Sequence, residues 1–193
     1  MNPRFEAAWE IHQFLKQHNV PYAVIGGVAV QKWGDQRATQ DVDISVGISI
    51  EEGSQKLIQL IIEHFSSRIT NPVEFAKQTR MVLVRASNGI DVDIALALPG
   101  YEDQMFERAV EYELEQGKVI QFCSAEDLII HKAVAGRPQD VSDIQGIVYR
   151  QGENLDLDYI RGWLKKFADL LGAPEVPARF EEAWERYLTP PTS

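Results

Sequence analysis

The fold of this chain is decided by the stretch Gln40-Asp41-Val42-Asp43-Ile44-Ser45-Val46, in which polar and apolar residues alternate strictly. Successive side chains of a β-strand point to opposite faces of a sheet, so the pattern predicts a strand with two carboxylates on one face. Aspartate is a poor strand former, because its short side chain competes for backbone hydrogen bonds. The same Asp-Val-Asp-Ile sequence recurs at residues 91–94. Two such strands in one chain favour a functional role for the carboxylates over a purely structural one.

The spacing of these carboxylates suits a metal ion. Residues i and i+2 of a strand share a face, with Cα atoms roughly 6.5–7 Å apart. Two carboxylates at that spacing can converge on a hard cation, and Mg²⁺ prefers oxygen ligands of this kind. Asp91 and Asp93 point the same way, so from the residues alone either one is a candidate third ligand beside Asp41 and Asp43. A solvated polar strand face is the alternative.

A glycine pair precedes the first aspartate strand. Gly26-Gly27 joins a predicted strand at residues 22–25 to a predicted helix at residues 28–33. The absence of side chains lets the backbone approach a ligand, and the start of a helix offers free N–H groups to an anion. The pair is neither a GxGxxG motif nor a P-loop, so a Rossmann fold or a Walker site has no support. A tight turn without a ligand is the alternative.

The remaining pattern predicts an α/β core followed by helices. Residues 81–86 and 90–98 form a predicted hairpin around an Asn-Gly turn. A helix is expected over residues 51–65, and the acidic segment 102–115 is expected to form a solvated helix and turn. Apolar spacings of three and four residues mark further helices after residue 123. We therefore expect an α/β core at residues 1–122 and a helical region at residues 123–193.

Composition excludes several functional classes. The chain has 193 residues, a formal charge of −10, a single cysteine and four histidines. A disulfide framework and a cysteine-rich zinc site are excluded, and no apolar run approaches the ~20 residues that a membrane span needs. The amino terminus has no apolar signal core, so we expect a cytoplasmic protein. The negative charge argues against broad binding of duplex DNA. However, without the four strand aspartates the first half of the chain is slightly basic.

These motifs resemble the DNA polymerase beta-like nucleotidyltransferase superfamily. The similarity is carried by Gly26-Gly27, by Arg37-Ala38-Thr39-Gln40-Asp41-Val42-Asp43-Ile44 and by Ile90-Asp91-Val92-Asp93-Ile94. Residues 124–132 and 135–144 resemble the AbiEii branch, the nucleotidyltransferase-like toxins of type IV toxin–antitoxin and abortive-infection systems. The resemblance covers about residues 20–165. It implies a mixed β-sheet flanked by helices, with a helical carboxyl-terminal part.

The resemblance also implies a reaction and a role for each matching residue. The reaction is transfer of NMP from an NTP to a hydroxyl acceptor, either a tRNA end or a small molecule, with two Mg²⁺ ions. A cognate antitoxin is a further implied partner. The implied roles are metal binding and catalysis by Asp41, Asp43 and Asp93 (or Asp91), triphosphate binding by Gly26 and Gly27, nucleotide binding by Arg37, Thr39 and Lys132, and a nucleotide or acceptor contact by Asp140. Asp93 aligns better than Asp91 with the family's single third aspartate.

Two alternatives remain open at this stage. Many relatives have Gly-Ser where this chain has Gly26-Gly27 followed by Val28, so a hydroxyl contact to phosphate is missing. This departure favours a catalytically inactive protein that binds a nucleotide or a partner. In the second alternative, Lys132 forms an ion-pair cluster between helices with Asp140 and Asp143 instead of contacting a nucleotide.

Overall fold

The computed structural model describes residues 2–47 and 53–189. Its helices are Pro3–Gln17 (α1), Gly26–Trp33 (α2), Gly53–His64 (α3), Pro72–Thr79 (α4), Tyr101–Glu107 (α5), Ala125–Ala135 (α6), Pro138–Gln151 (α7), Leu157–Leu171 (α8) and Val176–Leu188 (α9). Its strands are Tyr22–Ile25 (β1), Val42–Val46 (β2), Ser66–Ser67 (β3), Met81–Arg85 (β4), Asp91–Leu96 (β5), Val110–Glu115 (β6) and Lys118–Phe122 (β7). Residues 51 and 52 of the helix predicted over 51–65 lie outside the described part. Within the described part, no helix combines the length and apolarity needed to cross a membrane.

The strands form one mixed sheet in the order β3-β4-β5-β2-β1-β7-β6. The pairs β2/β5 and β1/β7 are parallel, whereas β1/β2, β3/β4, β4/β5 and β6/β7 are antiparallel. Helices lie between these strands in the sequence and follow the last of them. The predicted α/β class with a mixed sheet is therefore confirmed. The central position of β2, between β1 and β5, brings both Asp-Val-Asp-Ile sequences into adjacent strands.

The alternation in β2 and β5 divides their side chains as predicted. Val42, Ile44, Val92 and Ile94 are completely buried, because they face the hydrophobic core. Asp43 and Asp93 lie between them in sequence and are half-buried on the opposite face. Burial of the four aliphatic side chains stabilises this register by several kcal/mol, at roughly 1.5–3 kcal/mol each. A shift by one residue would place the carboxylates in the core, so the packing fixes the face on which they lie.

A buried hydrogen-bonded tyrosine joins α1 to the sheet. The Tyr22 hydroxyl accepts a hydrogen bond from the backbone N–H of Gln121 at 2.9 Å and lies 2.6 Å from His12 Nδ1. Burial raises the pKa of Tyr22 and lowers the pKa of His12. Both side chains are therefore neutral near pH 7, as their buried positions require.

The acidic segment after α5 differs from the prediction. Tyr101–Glu107 is a helix as expected, but Val110–Glu115 is strand β6 and not part of a solvated helix and turn. Tyr112 packs edge-on against Phe122 of the neighbouring strand, with ring centroids 5.4 Å apart. The glutamates of β6 tolerate the strand because it lies at the exposed edge of the sheet, where charged side chains stay in water.

The chain divides into two compact units. The first comprises Met1–Val28 and Ala38–Cys123 and contains the sheet, whereas the second comprises Ala29–Arg37 and Ser124–Ser193. In the second unit, α6 packs against α7, α8 and α9, around buried side chains that include Leu128, Ile147 and Phe180. The predicted division into domains at residue 122 stays a prediction.

Candidate active site

Three carboxylates of the first unit converge on one face of the sheet. Asp43 on β2 is paired in register with Asp93 on the parallel strand β5, and Asp41 lies immediately before β2. One carboxylate oxygen from each of Asp41, Asp43 and Asp93 lies within 4.8 Å of the other two. All three residues are half-buried. Close like charges repel one another, and a bound cation would remove that repulsion.

The glycine pair seats the central carboxylate. Gly26 follows β1 with a φ of +62°, and a Cβ atom at this position would lie only 1.9 Å from Asp43 Oδ2. The backbone N–H of Gly27 donates a long hydrogen bond of 3.4 Å to the same oxygen. Glycine at position 26 is thus required both by the left-handed backbone and by the approach of Asp43. The pair stands at the first residues of α2, where N–H groups point out of the helix.

Thr39 orients the first carboxylate of the cluster. This buried threonine donates a hydrogen bond from Oγ1 to Asp41 Oδ1 at 3.1 Å. The contact restricts the rotation of the Asp41 side chain and leaves its second oxygen for another partner. The structure therefore places Thr39 next to the cluster, in contact with Asp41.

The structure separates Asp93 from Asp91. Among the described residues, only Asp93 of this pair belongs to the carboxylate cluster. Asp91 accepts a hydrogen bond at 2.7 Å from Arg85, the residue opposite it on β4. That hydrogen bond lowers the pKa of Asp91, and the charge of Arg68 lowers it further. Arg68 also forms an ion pair with Asp93.

Arg68 contacts the carboxylate cluster, and the sequence did not indicate it. It follows β3, a strand of only two residues, which gives no periodic signal. The partnership depends on β3 and β5 flanking β4 in the sheet. No spacing along the chain reveals such a neighbour.

The remaining predicted site residues form a buried ion-pair cluster in the second unit. The Lys132 ammonium lies 2.8 Å from both Asp140 and Asp143, and all three side chains are at most 6% exposed. Arg37 holds Asp143 with two hydrogen bonds of 2.7 and 2.9 Å, and Arg137 contacts Asp140 at 2.6 Å. Burial alone would raise the pKa of each aspartate, but the hydrogen bonds from the arginines and Lys132 outweigh it and lower both pKa values. This is the ion-pair arrangement that the sequence left open as the alternative to a nucleotide contact.

The fold and the first-unit site together define a class. A mixed sheet with a glycine turn after its first strand, carboxylates on two neighbouring strands and a third carboxylate just before one of them is the arrangement that the resemblance to nucleotidyltransferases implies. The model of the family "Nucleotidyltransferase of unknown function (DUF6036)" matches residues 5–188. The chain belongs to this family, and the predicted enzyme class is confirmed.

Solved structures share the same fold. An antigenic nucleotidyltransferase-like protein from Paracoccidioides brasiliensis is 15% identical, with 93% of each chain covered and a TM-score of 0.54. The lincomycin-bound lincosamide antibiotic adenylyltransferase LnuA is 16% identical, with 74% of this chain and 94% of that chain covered and a TM-score of 0.50. No curated protein sequence matches the chain significantly. The narrower resemblance to the AbiEii branch stays a prediction.

Proposed function

We propose that this protein is a Mg²⁺-dependent nucleotidyltransferase that transfers NMP from an NTP to a hydroxyl acceptor. The convergence of Asp41, Asp43 and Asp93 on one accessible face carries the proposal. Aspartate is a poor strand former, yet Asp43 and Asp93 occupy strands, and one oxygen of each lies within 4.8 Å of an oxygen of Asp41. A divalent cation would offset the repulsion among these charges. The donor set consists of oxygen atoms alone, which fits Mg²⁺.

Asp41, Asp43 and Asp93 are the proposed ligands of two Mg²⁺ ions. When bound, the ions would neutralise charge on the triphosphate and assist ionisation of the acceptor hydroxyl. In the proposed reaction, the acceptor oxygen bonds to the α-phosphorus, the bond from that phosphorus to the oxygen bridging the α- and β-phosphates breaks, and pyrophosphate leaves. Asp93 is the proposed group that helps to remove the proton of the acceptor.

The proposed triphosphate contact lies at the start of α2. Gly26 and Gly27 are the proposed contacts, because the start of a helix favours an anion. The Asp43 carboxylate fills the space beside Gly26, so a triphosphate would approach this turn on the side away from Asp43 or through a metal ion that Asp43 holds. Arg37, Lys132 and Asp140 are retained as proposed nucleotide or acceptor contacts, although their ion pairs in the second unit also support a structural role for them.

The proposed biological role is toxin-like action in the cytoplasm, where nucleoside triphosphates are plentiful. The stretches 124–132 and 135–144, which resemble the AbiEii branch, support this role. They also motivate a cognate antitoxin as a proposed partner. A tRNA end and a small molecule with hydroxyl groups are the two candidate acceptors. The acidity of the second half of the chain opposes broad binding of duplex DNA.

The second candidate function is binding of a nucleotide without transfer. It is favoured by one observation: this chain has Gly26-Gly27, followed by Val28, where many nucleotidyltransferases have Gly-Ser. Loss of the serine hydroxyl contact would weaken the hold on the triphosphate, whereas the carboxylate cluster would still hold a metal-bound nucleotide.

One experiment separates these functions. The protein is incubated with α-labelled NTPs, Mg²⁺ and either total tRNA or a panel of small polyhydroxyl compounds, and products are separated by electrophoresis or chromatography. Asp43→Asn is the test variant, and Asp169→Asn removes the same charge from an exposed position on α8. Label in either acceptor, lost with the first variant and kept with the second, supports transfer. Calorimetric binding of Mg-NTP without label transfer supports the second function, and the absence of both would refute the two together.

A further inference from the structure

Arg68 bridges the candidate metal cluster and the aspartate beside it. Its Nη1 atom is ion-paired with Asp93 Oδ1, and its Nε atom lies 3.3 Å from Asp91 Oδ2. The second oxygen of Asp91 accepts a hydrogen bond from Arg85 at 2.7 Å. One guanidinium is therefore shared by two aspartates, of which only Asp93 belongs to the cluster among the described residues.

The sheet holds the Arg68 backbone in place. Its N–H donates to the carbonyl of Leu83 at 3.0 Å, and Leu83 is the residue opposite Asp93 in the β4/β5 register. The Arg68 side chain thus reaches across β4 to β5. Adjacent strands are about 4.8 Å apart, so this reach of two strands needs a long side chain with a branched cationic end.

Arg68 and a divalent cation would compete for the negative charge of Asp93. An arginine at Asp93 offsets the repulsion among Asp41, Asp43 and Asp93, which is also what a divalent cation would do. A guanidinium and a divalent cation repel one another when both contact the same carboxylate. Since binding free energies are reciprocal, an ion that weakens the arginine contact must itself be weakened by that contact.

We propose that Arg68 is a built-in counter-ion that competes with the metal for Asp93 and withdraws to Asp91 when metal binds. The inference rests on the proposed metal-dependent function and adds that Arg68 lowers the affinity of the site for the metal ion. Asp91 provides the alternative position, because Arg68 already contacts it. The two aspartates of the second Asp-Val-Asp-Ile repeat then have different roles. Asp93 binds the metal ion, and Asp91 stays paired with Arg68.

The test is the affinity for Mn²⁺, measured in the full chain by electron paramagnetic resonance of the free ion. Arg68→Ala should tighten Mn²⁺ binding about fivefold to tenfold, because it removes a positive charge that contacts Asp93, one of the proposed metal ligands. Arg85→Ala is the matched control: it removes the same charge from the same face, but Arg85 contacts Asp91 and not Asp93 in the described structure. We expect it to change the affinity less than twofold.

A second variant protects the test against a folding defect. Arg68→Gln is shorter than arginine but keeps a polar amide and removes the charge, and it should also tighten Mn²⁺ binding. Circular dichroism verifies that each variant is folded. In an Asp93→Asn background, Arg68→Ala should have lost most of its effect, since the contested carboxylate is gone.

The outcomes distinguish this inference from the proposed function. If the wild type binds Mn²⁺ and folded Arg68 variants bind it equally or more weakly, the competition does not exist, whereas the metal site stands. If neither the wild type nor any variant binds Mn²⁺, both the metal-dependent function and the competition are refuted.

Discussion

Substitution of Gly26 by alanine tests how the candidate active site is assembled. The new Cβ atom would lie 1.9 Å from Asp43 Oδ2 and 2.5 Å from its Cγ. Ordinary van der Waals contact needs at least about 3.4 Å, so the carboxylate must retreat by more than about 1 Å. Alanine must also adopt the left-handed backbone at a φ of +62°, which costs about 1–2 kcal/mol.

A matched glycine separates these two effects. Gly89 also has a positive φ, +85°, but a Cβ atom there has no heavy atom within 4 Å. Gly89→Ala therefore carries backbone strain alone. We expect Gly89→Ala to lose about 1–2 kcal/mol of unfolding free energy, measured in urea by circular dichroism, and Gly26→Ala to lose more because the clash with Asp43 is added. Only Gly26→Ala should lose function, because it displaces a proposed metal ligand.

The functional loss can be estimated from the displacement. A shift of about 1 Å in a reacting group reduces rates by as much as 10²-fold. We therefore expect Gly26→Ala to transfer NMP about 100-fold more slowly and to bind Mn²⁺ at least several-fold more weakly than Gly89→Ala. Equal Mn²⁺ affinities in the two variants would refute the argument that this glycine seats Asp43.

Further predictions concern the buried polar groups. Lys132→Met should cost about 2–4 kcal/mol in urea unfolding at pH 7, since it leaves two buried aspartates with their arginine partners alone; a cost under 1 kcal/mol would contradict the structural role of the cluster. The pKa values of both aspartates are lowered, so their contribution is present above their unfolded pKa near 3.9 and is lost as pH falls through the lower folded values. Wild type should accordingly lose more unfolding free energy than Lys132→Met between pH 7 and pH 3, and parallel profiles would argue against it. Tyr22→Phe should lower the free energy of unfolding by about 1–3 kcal/mol, because the part-buried backbone N–H of Gln121 loses its acceptor, whereas Tyr149→Phe at a 76% exposed position should change it by less than about 0.5 kcal/mol.

The sequence was sufficient where a local pattern and a global constraint agreed. Alternation with a period of two predicted that Asp43 and Asp93 lie on exposed strand faces, and their half-buried positions opposite a buried aliphatic face agree with it. The mixed sheet is what the family resemblance implied, and its β2/β5 pairing aligns the two repeats. Packing of the aliphatic face enforces this register, so local sequence carries the information.

The sequence was insufficient where the position of a residue depends on distant strands. Arg68 follows a strand of two residues, and its contact with Asp93 depends on strand order. The acidic composition of residues 110–115 favoured a solvated turn, but pairing with β7 and the packing of Tyr112 on Phe122 outweighed that preference. Tertiary context of this kind commonly overrides intrinsic strand propensity.

The acidic edge strand has a consequence for how molecules of this protein meet in solution. An edge strand presents unpaired backbone groups to which a second chain can add, and this route leads to aggregation. Glu111 and Glu113 are exposed along β6, so a second copy that approached in the same manner would bring like charges together. The opposite edge, β3, offers only two residues for pairing. Both ends of the sheet thus resist joining to another copy, and the resistance at β6 should weaken as salt screens the glutamates.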